Sequence, residues 1–323
     1  MKISIFGVGA YGIALAKVFY ENDNKVSMWT KFEEEADIVK LKRENINNFP
    51  GVKIPREIDI TTNMKECIEN SKIIVIAVPM QAVRETCKEL SKYFKDGQII
   101  CIASKGIENN TNKIMSEVVF DETGCKDICM LSGPSFAIEL VKNNELGLTV
   151  ASESSIARTA VKICLENERI TVNLSRDIVG VEIAASVKNV FAIIMGMADG
   201  MKKSDSTKAS ILTLLINDLR IIIEILGGKS HTIFTYAGIG DLLLTCMSRK
   251  SRNYSFGNLI GQGYSKDEAL EKMTTKTIEG LYSLVSIKQI LDKKEVEIKS
   301  VNMIYDIIYN EKRIDEFIKN MKR

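Results

Sequence analysis

Residues 7–12 read Gly-Val-Gly-Ala-Tyr-Gly, directly after the apolar run that ends at Phe6 and at the opening of the helix-like segment Ala10–Asn22. Three glycines in that spacing, between a strand and a helix, leave few folds open. Gly7 allows the tight turn, Gly9 lets a pyrophosphate approach the backbone, and Gly12 lets helix and strand pack closely. The phosphates of a dinucleotide then rest on the unpaired amides at the positive end of the helix. A glycine-rich structural turn is the competing account. The strand–turn–helix context at the chain start favours the dinucleotide.

The remainder of the first half agrees with the loop. Apolar runs at Ile3–Phe6, Val26–Trp29, Ile73–Val78, Ile99–Ala103, Ile128–Leu131 and Leu148–Ala151 alternate with helix-like segments such as Glu33–Arg43 and Gln81–Tyr93. Several runs are almost unbroken Val, Ile and Cys, as in parallel strands buried on both faces. From about Val181 the spacing becomes helical, over Val181–Met197, Thr207–Leu226, Leu242–Cys246, Ser255–Ile260, Ser265–Met273, Leu281–Leu291 and Val301–Tyr309. The expected fold is α/β: a Rossmann-like, doubly wound dinucleotide-binding sheet, followed by an all-α C-terminal domain. A chain of 323 residues accommodates both. The boundary falls near 175–182, giving a dinucleotide-binding domain over 1–179 and a helical substrate and dimerisation domain over 180–323.

Charge and cysteine usage narrow the function. With 44 basic and 42 acidic residues, the net charge is +2. That balance argues against a nucleic-acid or membrane-surface role. The apolar stretch Ile211–Leu226 is interrupted by Asp218, Arg220 and Glu224, which marks a buried helix rather than a membrane span. The first twenty residues read as strand and glycine turn, so no targeting segment is expected. Seven cysteines and a single histidine, without CxxC spacing, imply free thiols, no metal site and a reducing, cytoplasmic setting.

The second apolar run ends Trp29-Thr30-Lys31, where an NAD-selective site usually places an acid for the ribose 2′-hydroxyl. Lys31 is instead placed to meet a 2′-phosphate, which favours NADP tolerance; a solvent-facing lysine is the alternative. Three later segments also stand out. Ala103-Ser104-Lys105-Gly106 and Leu131-Ser132-Gly133-Pro134-Ser135-Phe136-Ala137 each come directly after a strand, at the carboxyl edge where such sheets bind ligands. Ser186-Val187-Lys188-Asn189-Val190 puts a lysine inside an otherwise apolar helix, a costly burial without a partner or a task. Pro79 and Pro134 read as turn residues that shape the cleft.

Together with Met197-Ala198-Asp199-Gly200, Ala237-Gly238-Ile239-Gly240-Asp241-Leu242, Ser251-Arg252-Asn253-Tyr254-Ser255-Phe256-Gly257 and Thr277-Ile278-Glu279-Gly280, these segments resemble the bacterial NAD(P)-dependent glycerol-3-phosphate dehydrogenase family. The resemblance runs nearly end to end. It implies that Ala10, Tyr11, Trp29, Lys31, Ala137, Thr277 and Glu279 line NAD or NADP beside Gly7, Gly9 and Gly12. It implies that Lys105, Gly133, Ser135, Asp241, Ser251, Arg252 and Asn253 hold glycerol phosphate, with Lys105 and Arg252 also reaching the cofactor. Lys188 would be the proton-transfer residue, assisted by Lys105. The family further implies a homodimer, and a product that feeds glycerophospholipid synthesis. Two departures stand out: residues 201–208 read Met-Lys-Lys-Ser-Asp-Ser-Thr-Lys where relatives commonly have a Gly-rich, Asn-containing loop, and Leu214 replaces a commonly basic position.

The chemistry expected of these residues is hydride transfer with exchange of a hydroxyl proton. His231 sits in a polar connection and reads as structural, so a lysine must carry the proton. Burial of Lys188 and a neighbouring Lys105 are both expected to favour the neutral amine. Arg252 can grip a phosphate through paired hydrogen bonds, or simply be solvated behind a Ser251 N-cap. Asp241 caps the helix that begins there, binds substrate, or does both; Glu279 closes over a ribose or merely opens a helix. Two other functions compete: a dehydrogenase of the same plan acting on a hydroxy or keto acid, which needs a carboxylate clamp, and a nucleotide sensor without turnover, which needs neither Lys105 nor Lys188.

Overall fold

The computed structural model describes residues 1–273, 277–310 and 312. The chain divides into two compact units, one of residues 1–105 and 115–178, the other of residues 106–114 and 179–323.

The first unit is built on strands β1 (Lys2–Phe6), β2 (Lys25–Trp29), β3 (Asp59–Thr61), β4 (Ile73–Ile76), β5 (Ile99–Ile102), β6 (Ile128–Ser132), β7 (Leu146–Ala151) and β8 (Ile170–Ser175). They form one sheet in the order β3-β2-β1-β4-β5-β6-β7-β8. Pairing is parallel from β3 to β6, with Phe6 opposite both Trp29 and Ile76. β7 runs antiparallel to β6 and parallel to β8, a reversal that the apolar runs did not signal. Helices α1 (Ala10–Glu21), α2 (Glu33–Lys42), α3 (Met64–Ile68), α4 (Val83–Leu90), α5 (Met115–Thr123), α6 (Ala137–Val141) and α7 (Ser155–Leu165) complete the unit. β4 and β5 are buried along their whole length, which explains why their sequences do not alternate. The strand order turns outward in both directions between β1 and β4, the switch point at which open sheets of this kind bind ligands.

The second unit is helical: α8 (Ile178–Gly200), α9 (Asp205–Ile225), α10 (Asp241–Met247), α11 (Arg252–Gly261), α12 (Lys266–Lys272), α13 (Glu279–Lys293) and α14 (Lys299–Tyr309). α8 is buried on every side from Gly180 to Ala198 and forms the axis of this core. It is long and apolar enough to cross a membrane, but 94% of its apolar window is buried inside the protein. It crosses α11 at backbone contact. A methyl added at Gly196 or Gly200 would overlap a carbonyl oxygen of α11, and one at Gly257 or Gly261 would overlap a carbonyl of α8. Asp199 ties the same helices together: Lys208 of α9 lies 3.3 Å away, Arg249 3.2 Å and the Asn258 amide 3.1 Å. Burial pushes its carboxyl up, but hydrogen bonds from Tyr254, Lys208 and Arg249 outweigh that and hold it below the ordinary range. All seven cysteines are free and buried.

Candidate active-site residues

In the first unit the glycine loop lies over the carboxyl end of β1. Gly7 adopts a positive φ of 117°, and its N–H donates to the Trp29 carbonyl at 2.8 Å. A methyl at Gly12 would run into the Gly7 carbonyl, whereas nothing lies within 4 Å of one placed at Gly9. The loop is therefore closed on its inner side and open at Gly9. Gly9 is also the N-cap of α1, with no side-chain cap, and no acid occupies the first turn. The first-turn amides meet neither a capping side chain nor a repelling charge, and this fits a pyrophosphate.

Tyr11 extends from that turn, and its hydroxyl shares a 3.0 Å hydrogen bond with Ser135 Oγ, which reaches the Gly133 carbonyl at 3.2 Å. Sequence positions expected at the dinucleotide and at the substrate are thus joined after β6, where Ala137 opens α6. Ser135 is 9% exposed. Trp29 stacks near Phe6, with ring centroids 5.1 Å apart, and its indole N–H donates to the Thr62 carbonyl. Lys31 pairs with Glu85 of α4 at 3.2 Å, so it is neither an unpaired phosphate donor nor merely solvated. Pro79 precedes a single turn of 3-10 helix. Lys105 is half-buried, at the end of the segment that comes after β5.

In the second unit, burial and charge concentrate around Lys188. Its side chain leaves the middle of α8, and its ammonium donates to Asp241 Oδ1 at 2.5 Å and to Thr245 Oγ1 at 3.0 Å. Lys188 is 6% exposed and Asp241 1%. Thr245 sits one turn after Asp241 on α10 and donates its own hydroxyl proton to the Asp241 backbone carbonyl at 2.6 Å, so its oxygen is turned toward Lys188. The expectation that Asp241 caps α10 needs correction. Gly240 occupies the cap position without a side-chain bond, and the Asp241 carboxylate accepts from Lys188. The buried carboxylate of Asp241 against the Lys188 ammonium is a neighbour that sequence reasoning did not anticipate. Burial pushes the neighbouring Cys246 thiol well up, an effect that Lys188 only partly offsets, so this sulfur stays protonated.

A second group lies where α8, α11 and α13 meet. Ser251 caps α11 by accepting from the Tyr254 amide, which leaves Arg252 as the first helical residue and half-exposed. Arg252 stands 3.7 Å from Glu279, the first residue of α13. Asn253 accepts from the Gly280 amide at 2.9 Å, and the Asn189 amide donates to Glu279 at 3.3 Å. Thr277 precedes α13 and is exposed; His231 is exposed in a 3-10 turn. Sequence reasoning missed Thr245, Asn189 and Glu85. Thr245 had a signal, its helical spacing of four from Asp241, and Asn189 had its position beside Lys188; Glu85 had none. Among the described residues, no group of His, Cys, Asp and Glu side chains is arranged to hold a metal.

A family model of the NAD-dependent glycerol-3-phosphate dehydrogenase N-terminus matches residues 2–157, and one of the C-terminus matches residues 177–319. The glycerol-3-phosphate dehydrogenase (NAD(P)+) of Agathobacter rectalis is 37% identical over 322 residues, 99% of this chain and 95% of that protein. The protein of that name from Fusobacterium nucleatum is 34% identical over 323 residues, 99% of this chain and 96% of the relative. The crystal structure of glycerol-3-phosphate dehydrogenase from Coxiella burnetii is similar at a TM-score of 0.94 and 28% identity, covering 100% of this chain and 98% of that one. On two family models that together span most of its length, and on relatives matched almost end to end, this chain belongs to the NAD-dependent glycerol-3-phosphate dehydrogenase family.

Proposed function

We propose that the chain interconverts dihydroxyacetone phosphate and sn-glycerol 3-phosphate with NADH or NADPH, in the cytoplasm, and that the product supplies glycerophospholipid synthesis. The observation that carries the reading is the sealed cluster of Lys188, Asp241 and Thr245, an ammonium held between a carboxylate and a hydroxyl in an apolar helix core. A buried charge of this kind is expensive unless it serves chemistry.

When bound, the nicotinamide exchanges a hydride with the substrate's C2. In the reducing direction Lys188 gives a proton to the developing alkoxide; in the oxidising direction the neutral amine takes it back. Asp241 and Thr245 fix the position of the ammonium. Lys105 is proposed to stabilise charge on the same oxygen. Arg252 and Asn253, at the amino end of α11, are proposed to hold the phosphate with Ser251, and Gly133 and Ser135 to contribute further donors. Arg252 and Glu279, with Thr277, are proposed to reach the cofactor bound on Gly7, Gly9, Ala10, Tyr11, Gly12, Trp29, Lys31, Lys105 and Ala137. We propose a homodimer as well; the large exposed apolar side chains Phe234 and Met247 of the helical unit support an interface there.

The test is a steady-state assay with dihydroxyacetone phosphate, unphosphorylated dihydroxyacetone and small keto acids, run with NADH and with NADPH. The phosphorylated ketone is expected to lead by at least two orders of magnitude in kcat/KM. Equal turnover of an unphosphorylated keto acid removes the reading. Lys188→Ala is expected to lose about 10³-fold or more in kcat while still binding NAD(P)H.

A further inference from the structure

Resting on the proposed dinucleotide site, we infer that Glu85 is a specificity-determining residue, which through its ion pair with Lys31 biases the chain against a phosphorylated adenine ribose. The Trp29 carbonyl at the end of β2 accepts from Gly7 of the glycine loop, so Thr30 and Lys31 continue from the rim of that loop. At this rim, an NAD-selecting site offers a carboxylate to the ribose 2′-hydroxyl. Glu35, in the first turn of the next helix, is already engaged. One of its oxygens accepts from Thr30 at 2.6 Å, and the other accepts from Asn45 at 3.0 Å and Asn48 at 3.3 Å. Lys31 is thus the cation at the rim, and its counter-ion comes from α4, a helix that comes after β4 on the other side of β1.

The pair is built to be opened. Its side chains are 62% and 78% exposed, and exposed pairs are weak and screened by salt. A 2′-phosphate carries up to two negative charges and forms stronger, charge-assisted hydrogen bonds, so it can displace the Glu85 carboxylate from Lys31. The displaced carboxylate then remains tethered beside a like charge. Glu85 therefore works against NADPH twice, first by competing for Lys31 and then by repelling the phosphate. Toward NADH neither effect exists, because a 2′-hydroxyl neither needs Lys31 nor repels Glu85. The consequence is a chain that uses both cofactors with a smaller NADPH advantage than a lone lysine would confer.

The experiment is direct titration of the full chain with NADPH and with NADH, monitored by the fluorescence of Trp29, the only tryptophan and itself at the end of β2. Glu85→Gln is expected to tighten NADPH three- to ten-fold at low ionic strength and to leave NADH within two-fold. The gain should shrink in high salt and vanish in a Lys31→Met background. Equal shifts for the two cofactors, no shift at all, or a gain that survives Lys31→Met overturns the inference while leaving the dinucleotide site intact. Wild-type chain that binds neither cofactor overturns the dinucleotide reading itself, and this inference with it.

Discussion

A carboxylate drawn out of water stays ionised only where a cation or several donors compensate it, and the helical unit holds two contrasting cases, Asp241 buried and Asp218 half-buried. Asp241 has the Lys188 ammonium at 2.5 Å. Asp218, on α9, has the neutral Ser300 hydroxyl at 2.5 Å. Burial pushes the Asp218 carboxyl up, and the Ser300 hydrogen bond offsets this only in part. A folded-state value above the unfolded one means that the stability associated with the group is fully present in acid and is lost as pH rises through the raised value. Asp218→Asn, which can still accept from Ser300, is therefore expected to raise the thermal midpoint at pH 7, with the gain fading toward pH 4. A midpoint lowered equally at both pH values would show that the carboxylate is needed as such. Removing Lys188 alone strands a buried charge at a cost of about 3–5 kcal/mol, so the loss of turnover in Lys188→Ala should also be checked in Lys188→Met with Asp241→Asn, where both charges go together. This is also the scale at which the site was only half legible. The apolar neighbours of Lys188 exposed it as anomalous, but its partner lies 53 residues away, and no local pattern links the two. Glu85 looks like any solvated glutamate on a short helix until β2 and α4 are both folded.

At the scale of elements, the contact of α8 with α11 positions what the site needs. Lys188 and Asn189 lie on the first helix, Arg252 and Asn253 at the start of the second, and Gly280 sits close enough to Asn189 and Asn253 that a methyl there would press on both. Gly196→Ala would drive a methyl into the Tyr254 carbonyl, backbone against backbone, so the helices must separate. The expected loss is at least about 2–3 kcal/mol, read as a lower urea midpoint, together with a raised KM as Asn253 shifts. An unchanged midpoint would mean that the helices do not approach this closely. The pairing of these glycines across two helices becomes visible only when both helices are in place. All seven long helical segments of the second half were readable, because each carries an apolar face at helical spacing. β3 was not, being three residues long, and neither was β8, whose Thr171, Asn173 and Leu174 are exposed. An edge strand covered on one face lacks the unbroken apolar run that betrayed β4 and β5.

For the whole molecule, the chain passes between its two units three times, at residues 105–106, 114–115 and 178–179. Residues 106–114, read as part of the first half, belong to the helical unit. Ile107 and Ile114 bridge one another and are 0% and 9% exposed, within the core formed around α8. Asn109 accepts from Ser286 of α13 at 3.0 Å. The reason for the misreading is physical: nine residues are too few to show a period, and a segment's allegiance is decided by the apolar surface it covers rather than by its neighbours in sequence. The helical unit is therefore discontinuous, and its stability depends on a segment flanked on both sides by the other unit. Ile107→Ala should then cost about 2–5 kcal/mol in the helical unit, the range for a fully buried aliphatic truncation. Hydrogen exchange would show the loss as faster exchange of α8 and α13 amides, with β1, β4 and β5 protected as before. Deprotection of the sheet strands instead, with α8 unchanged, would assign Ile107 to the first unit and remove the three-passage topology.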